Sequence, residues 1–181
     1  MFSIGKKYGK LSSAVIDSGY VKGLVSVVLP VYNGEDYIGE SIESVLNQSY
    51  RQLELIIVND GSTDNTRGII ESYRSDSRIK IINQENRKLP GALNRGFEAA
   101  RGEFYTWTSA DNIMLEDCVE AMAEELNRNM DIDMVYGNMY LIDSDGCRIT
   151  GHGWFEFPVG SGNVILPDST LLLNTVANNT I

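Results

Sequence analysis

Phe104-Tyr105-Thr106-Trp107-Thr108-Ser109-Ala110-Asp111-Asn112 decides the reading of this chain, because an aromatic and β-branched run stops abruptly in a small residue, a carboxylate and an amide. Tyr, Trp, Phe and Thr suit a pleated, half-buried surface, so Phe104–Thr108 is predicted as a strand. In an open α/β sheet, ligands gather outside the carboxyl ends of the strands, which would place Asp111 on the rim of a site. Taken alone, Asp111-Asn112 reads more readily as a turn ahead of a helix near Glu116. The sequence on either side decides between the two.

Upstream, Val25-Ser26-Val27-Val28-Leu29 is a β-rich apolar run closed by Pro30, the pattern of a strand covered on both faces in a parallel sheet. Turn chemistry follows at Tyr32-Asn33-Gly34-Glu35, then Ile38, Ile42, Val45 and Leu46 at helical spacing. Leu53–Asn59 repeats the strand, Asp60-Gly61-Ser62-Thr63-Asp64 the loop, and Ile69, Ile70 and Tyr73 the helix. Ile79–Ile82 is a third strand. A polar loop from Asn83 to Pro90 leads to a helix with Leu93, Phe97 and Ala100 on its inner face, stopped by Gly102.

Downstream of Asp111, Leu115, Cys118, Val119, Met122 and Leu126 space a further amphipathic helix. Met134–Ile142 then alternates into a hairpin turn, Asp143-Ser144-Asp145-Gly146, that leads to Arg148-Ile149-Thr150. Strands alternating with helices predict an α/β fold, a mostly parallel sheet with helices on both faces. Beyond Gly151 the pattern is loop-like, with Ser169–Val176 read as a short helix.

Composition sets the outer bounds. The 181 residues are 43% hydrophobic and 22% charged, which excludes disordered and collagen-like classes. The longest apolar runs are too short to span a bilayer, and no signal-peptide core opens the chain, so a cytoplasmic protein is expected. The net charge of −10 argues against a nucleic-acid partner, which calls for a basic face. The charge is uneven: residues 1–24 hold four lysines (Lys6, Lys7, Lys10, Lys22) against Asp17, and eleven basic residues face twenty-four acidic ones in the remainder. This basic leader is read as a solvated tail or a helix packed on the body, with peripheral contact to an anionic membrane surface as the alternative. Cys118 and Cys147 form neither a metal spacing nor a disulfide framework and are read as free thiols.

The strand ends narrow the chemistry. Pro30–Glu35 carries one glycine, so the Gly-x-Gly-x-x-Gly turn of dinucleotide-binding folds is absent. No Gly-Lys-Ser/Thr phosphate loop occurs either, and a nucleotidyltransferase would need a Gly- and Arg-rich loop near the first strand. The strand ends are acidic and amide-rich instead: Asn33 and Glu35, Asp60 and Asp64, Asp111 and Asn112. Such groups suit hydroxyls, a base edge and a metal.

Val27-Val28-Leu29-Pro30-Val31-Tyr32-Asn33, Ile56-Ile57-Val58-Asn59-Asp60-Gly61-Ser62-Thr63-Asp64, Ala92-Leu93-Asn94-Arg95-Gly96 and Ser109-Ala110-Asp111-Asn112 together resemble the nucleotide-sugar half of family 2 inverting glycosyltransferases. Order and spacing match over residues 24 to 150. The resemblance implies the GT-A fold, a nucleoside diphosphate sugar donor (most often UDP-linked), a divalent metal (manganese or magnesium), and transfer with inversion to a carbohydrate or lipid-linked acceptor hydroxyl. It further implies a role in polysaccharide biosynthesis in the cytoplasm or at the inner face of the membrane. Carried over, Pro30, Val31, Tyr32 and Glu35 line the nucleoside pocket and Asp60 accepts a hydrogen bond from the base. A carboxylate accepts only, and uracil offers an imide N–H where cytosine does not. The alternative for Asp60 is a local Asx turn opening the Gly61 loop.

Under the same resemblance Asn94 and Gly96 face the nucleotide at the start of a helix, and Arg87 and Lys88 stand near the diphosphate unless they are solvated loop charges. Ser109-Ala110-Asp111 departs from the family's Asp-x-Asp: Asp111 is the metal carboxylate, while Ser109 keeps only a hydroxyl for the ribose. His152, the only histidine, is read as an exposed loop residue rather than a ligand. Inversion also needs a base for the acceptor proton. Only Glu156 and Asp168 follow residue 150, and neither lies in a matching motif, so the base is expected beyond Ile181. The sequence therefore divides into a leader (1–24), a nucleotide-sugar-binding core (25–150) and the start of an acceptor-side region (151–181). The runner-up function is a non-catalytic nucleotide-sugar-binding module.

Overall fold

The computed structural model describes residues 2–6, 20–137 and 142–143. Among the described residues, six strands and four helices lie within one compact unit, Met1–Tyr140; of the second unit, Leu141–Ile181, only Ile142 and Asp143 are described. In chain order the elements are β1 (Phe2–Lys6), β2 (Val21–Val31), α1 (Ile38–Leu46), β3 (Leu53–Asn59), α2 (Thr66–Ser72), β4 (Ile79–Asn83), α3 (Lys88–Ala99), β5 (Gly102–Trp107), α4 (Cys118–Arg128) and β6 (Met134–Gly137). The sheet order is β4-β3-β2-β5-β1-β6. Neighbours pair in parallel from β4 through β5, and β1 runs antiparallel to both β5 and β6. The mostly parallel sheet predicted from the sequence is the one that forms.

The core is built on two faces because strand side chains alternate. On one face Val25, Val27, Leu29 and Val31 of β2 join Leu55 and Ile57 of β3 beneath Ile38, Ile42 and Val45 of α1, Ile70 of α2, and Val119, Met122 and Leu126 of α4. On the other, Val28, Ile56 and Val58 pack against Ala92 of α3, with Leu93 and Phe97 half-buried at its sides. β2 and β3 are buried throughout their central lengths, as continuous apolar runs require. β5 alternates buried and half-buried residues, which matches the pleated surface inferred from its aromatics.

Several expectations need correction. Pro30 does not end its strand: β2 continues to Val31, and Pro30 pairs in register with Val58. Val28 accepts the Thr108 N–H at 2.9 Å on the β5 side, so Pro30, two residues on, turns its missing donor to that same side, where β5 has already ended. Gly102 is not a helix stop but the first residue of β5, where a Cβ would lie 2.5 Å from the Leu24 carbonyl oxygen. The inner stripe of α3 is Ala92 and Gly96, flanked by Leu93 and Phe97, and Ala100 has already left the helix in an extended conformation. Leu115 precedes α4 and is exposed.

The largest difference lies at the start of the chain. Phe2–Lys6, expected as a tail or a helix, forms a strand between β5 and β6, and the Lys6 ammonium donates to the Ile132 carbonyl at 2.8 Å. Five residues carry too little periodicity to separate strand from tail in the sequence. Residues 7–19, the hairpin at 144–150, and Cys147, His152, Glu156 and Asp168 lie outside the described residues. Among those described, no helix is long and apolar enough to cross a membrane.

Candidate functional site

The carboxyl ends of β2, β3, β4 and β5 meet at one edge, and side chains tie their loops together. After β2, Asn33 adopts a positive φ of 51° and its amide N–H donates to Ser62 Oγ at 3.0 Å, while its side-chain Oδ1 accepts the Thr63 N–H at 2.8 Å. The Gly34 N–H donates to Thr66 Oγ1 at 2.8 Å and the Glu35 N–H to Asp64 Oδ2 at 3.2 Å. In return, Glu35 Oε2 accepts the Asn65 N–H at 2.7 Å. Glu35 and Asp64 are thus partly committed to holding two loops against each other. Burial pushes the Asp64 carboxyl up, yet the hydrogen bonds from Thr66 and Glu35 outweigh that and hold it below the ordinary aspartate value.

Asp60 stands at the end of β3 and is 3% exposed. Its backbone N–H extends the ladder to the Val31 carbonyl. Its side-chain Oδ1 accepts two donors, Gln84 Nε2 at 2.7 Å and the Arg87 backbone N–H at 2.8 Å. Among the described residues no donor reaches Oδ2. The Asx-type turn considered for Asp60 is made instead by its neighbour: Asn59 Oδ1 accepts the Ser62 N–H at 3.1 Å. Gly61, at φ +79°, brings this loop close to the next, since a Cβ there would meet the Asn86 nitrogen at 2.9 Å.

At the end of β5, the Ser109 hydroxyl donates to Asp111 Oδ1 at 2.6 Å and accepts from Asn112 Nδ2 at 2.7 Å. Asp111 is exposed, as a rim residue should be. The loop leans on the β2 loop, where a Cβ on Gly34 would lie 3.4 Å from Ala110 Cβ. Pro30 and Val31 are buried in β2, and Tyr32 is half exposed beside them.

The third motif behaves differently. Asn94 lies in the middle of α3 and is exposed, not at a helix start. Gly96 does not face a nucleotide: it is buried, and a Cβ there would sit 2.2 Å from Val28 Cγ1. Gly96 exists so that α3 can approach β2 closely. Arg87 and Lys88 are exposed at the start of α3, and Lys88 has a φ of 62°, the second non-glycine residue in the left-handed region. Among the described residues, both such residues belong to this edge of the sheet. Gln84, which the sequence hid inside a polar loop, is the residue that reading missed.

Cys118 is a free thiol, and burial with help from Asp117 pushes it up to about 11, so it is no thiolate nucleophile at neutral pH. No group of three or more His, Cys, Asp or Glu side chains converges on a metal position among the described residues.

Residues 26–171 match the family described as Glycosyl transferase family 2. The chain belongs to glycosyltransferase family 2. It is 39% identical over 126 residues to the glycosyltransferase GlyG of Streptococcus pneumoniae serotype 4, covering 68% of this chain and 42% of GlyG. It is 34% identical over 163 residues to an uncharacterized glycosyltransferase of Haemophilus influenzae, covering 87% of this chain and 50% of the relative. The family 2 chain therefore spans half or less of these relatives. Among solved structures, S. aureus TarS 1–349 superposes with a TM-score of 0.55 at 30% identity, over 59% of this chain and 33% of TarS. The same TarS segment is known in complex with UDP and with UDP-GlcNAc, each at a TM-score of 0.55 and 29% identity, covering 59% of this chain and 32% of TarS.

Proposed function

We propose that this chain is the donor-binding part of a glycosyltransferase that takes a UDP-linked sugar and transfers it, with inversion, to a carbohydrate or lipid-linked hydroxyl. The observation that carries the reading is Asp60, a buried carboxylate at a strand end with Oδ1 held by two donors and Oδ2 open. An open carboxylate oxygen there accepts the imide N–H of uracil. The TarS complexes with UDP and UDP-GlcNAc support the same donor class.

Around that anchor, Pro30, Val31 and Tyr32 form the wall of the nucleoside pocket and Glu35 stiffens it through Asn65. Ser109 orients Asp111 and serves the ribose. A divalent cation, manganese or magnesium, fits the donor set in one way only. Asp111 offers one hard oxygen ligand, and a cation that completes its shell with diphosphate oxygens and water needs no protein cage. When bound, the cation supplies charge neutralisation to the leaving diphosphate. The base for the acceptor proton has no candidate among the described residues. A place in polysaccharide biosynthesis, in the cytoplasm at the inner membrane face, belongs to this reading through the family alone.

Calorimetry with UDP, uridine and cytidine, in manganese and in a chelator, tests the reading. Uridine is expected to bind better than cytidine, and UDP better in manganese than in chelator. Equal binding of uridine and cytidine would remove Asp60 as the base reader.

A further inference from the structure

The two oxygens of the Asp60 carboxylate are equivalent, so base recognition depends on the direction in which the oxygen left open is held. The protein settles this with unequal partners. The Arg87 backbone N–H is fixed by the start of α3, whereas Gln84 contributes a side-chain amide from the residue just past β4. Both donors fall on Oδ1. A carboxylate accepts only, so the Gln84 amide must present its nitrogen, and its orientation is not in doubt as a buried amide's otherwise is.

Gln84 is itself held in place. Its backbone N–H donates to the Asn59 carbonyl at 3.0 Å, continuing the β3–β4 ladder, and Asn59 Nδ2 donates to Asn83 Oδ1 at 2.9 Å next to it. The side chain therefore leaves a backbone clamped to the residue before Asp60. A glutamine at a strand end would ordinarily spend its amide on water, at no cost. Here it is spent on a carboxylate that is 3% exposed.

We propose that Gln84 is a positioning residue for base recognition: its amide, with the Arg87 N–H, fixes the plane of the Asp60 carboxylate so that the oxygen left open faces the nucleobase. This rests on the base-reading role proposed for Asp60 and adds the residue that makes that role selective. Without the Gln84 donor, the carboxylate keeps only the Arg87 N–H and can rotate about its last torsion, a broad and roughly two-fold well. The open oxygen is then no longer held on the base.

The test is a double-mutant cycle read by calorimetry on the intact chain, with uridine, UDP and cytidine as probes. Gln84→Leu removes the donor at similar length, and Gln84→Met removes it while keeping the unbranched shape. Each is expected to weaken uridine and UDP by the same factor, about tenfold, for a lost hydrogen bond to a charged group. Cytidine should change by less than about twofold, since it gains nothing from an oriented acceptor. In an Asp60→Ala background, the same Gln84 substitutions should change uridine by less than about twofold, because the group they act through is gone. If Gln84→Leu melts below the working temperature, Gln84→Met carries the cycle. Unchanged uridine binding in a folded Gln84 variant would overturn the proposal while leaving Asp60 as base reader. So would equal losses for uridine and cytidine, or an undiminished loss in the Asp60→Ala background. Failure of the unsubstituted chain to prefer uridine over cytidine would overturn the base-reading role itself, and this proposal with it.

Discussion

Asp60→Asn is the sharpest perturbation that the geometry offers, because the structure dictates how the new amide must sit. The two groups on Oδ1, Gln84 Nε2 at 2.7 Å and the Arg87 N–H at 2.8 Å, are both donors. They select the carbonyl oxygen of the substituted side chain and force its NH2 into the position of Oδ2. The open group thereby changes from acceptor to donor. It now opposes the N3–H of uracil and matches the N3 lone pair of cytosine. A charged hydrogen bond to the base is worth about 1.5–3 kcal/mol, so uridine should weaken by about tenfold to over a hundredfold. Cytidine should hold or improve, and the preference between the two should narrow by at least about tenfold. The fold should survive, since both buried donors keep an acceptor and lose only its charge, about 1 kcal/mol. The assay is calorimetry with both nucleosides, with a thermal melt as control. A variant that binds uridine as tightly as before, or that loses both nucleosides in step, would refute the argument.

Other substitutions separate the remaining roles. Asp111→Ala should weaken UDP in manganese by about tenfold and leave uridine within about twofold, because the residue acts through the diphosphate end. The same UDP loss in chelator would show that Asp111 acts without metal. Glu54, on β3 beside Ser26 of β2, is buried and accepts from Ser26 Oγ at 2.7 Å, the Arg101 N–H at 2.7 Å and the Arg101 guanidinium at 2.9 Å. Burial pushes its carboxyl up, but these bonds prevail and its pKa lies below the ordinary value. Its stabilisation is therefore present above the unfolded-state pKa of about 4.3 and is lost as pH falls through the lower folded value. Glu54→Gln should cost about 1.5–3 kcal/mol at pH 7 in urea melts, with the gap to the parent closing in acid; a gap that ignores pH would sink the assignment. Thr106 Oγ1 is the buried side-chain atom without a partner among the described residues, on the strand that pairs Thr106 with Val27. Thr106→Val keeps the shape and removes the stranded hydroxyl, so urea melts should show about 1 kcal/mol of added stability rather than a loss.

The fold was legible wherever hydrophobic pattern and length agreed. β2 and β3 announced themselves as apolar runs, and Ile38, Ile42 and Val45 as one face of a helix. Legibility failed where short-range signals were ambiguous. Gly102 and Gly96 looked like a helix stop and a ligand-facing glycine, but both are glycine because another chain segment lies within 2.5 Å of where a Cβ would be. That is a tertiary fact, and no local pattern encodes it. Phe2–Lys6 had too few residues to declare a strand, and its partners β5 and β6 lie about a hundred residues away in sequence. In the site, Asp60 and Asp111 were readable because carboxylates stand out at strand ends. Gln84 was not, since a glutamine in a polar loop differs from its neighbours only once Asp60 is seen beside it.

The acidic rim is less charged toward a ligand than its sequence implies, and this bears on how it could hold an anion at all. Of its carboxylates, Glu35 and Asp64 each accept backbone N–H groups from the opposite loop and so act as ties between the ends of β2 and β3. Asp60 turns one oxygen inward to Gln84 and Arg87, and Asp111 has one oxygen on Ser109. Beside the second oxygen of Glu35, what remains for a ligand is one open oxygen on each of two aspartates, at the ends of separate strands. In the proposed reading, buried Asp60 would meet a neutral base edge, where a carboxylate gains a hydrogen bond without facing another charge. Asp111 is exposed and stands where a diphosphate would oppose it. Like charges about 4 Å apart repel by roughly 4 kcal/mol at an effective dielectric of 20. A single carboxylate beside two phosphates is tolerable only with a cation between them, and replacing the family's first aspartate by Ser109 lowers that repulsion as well as the cation's grip. In the proposed site, the same substitution would leave the rim both less hostile to a donor and more dependent on the donor's own oxygens to retain a metal.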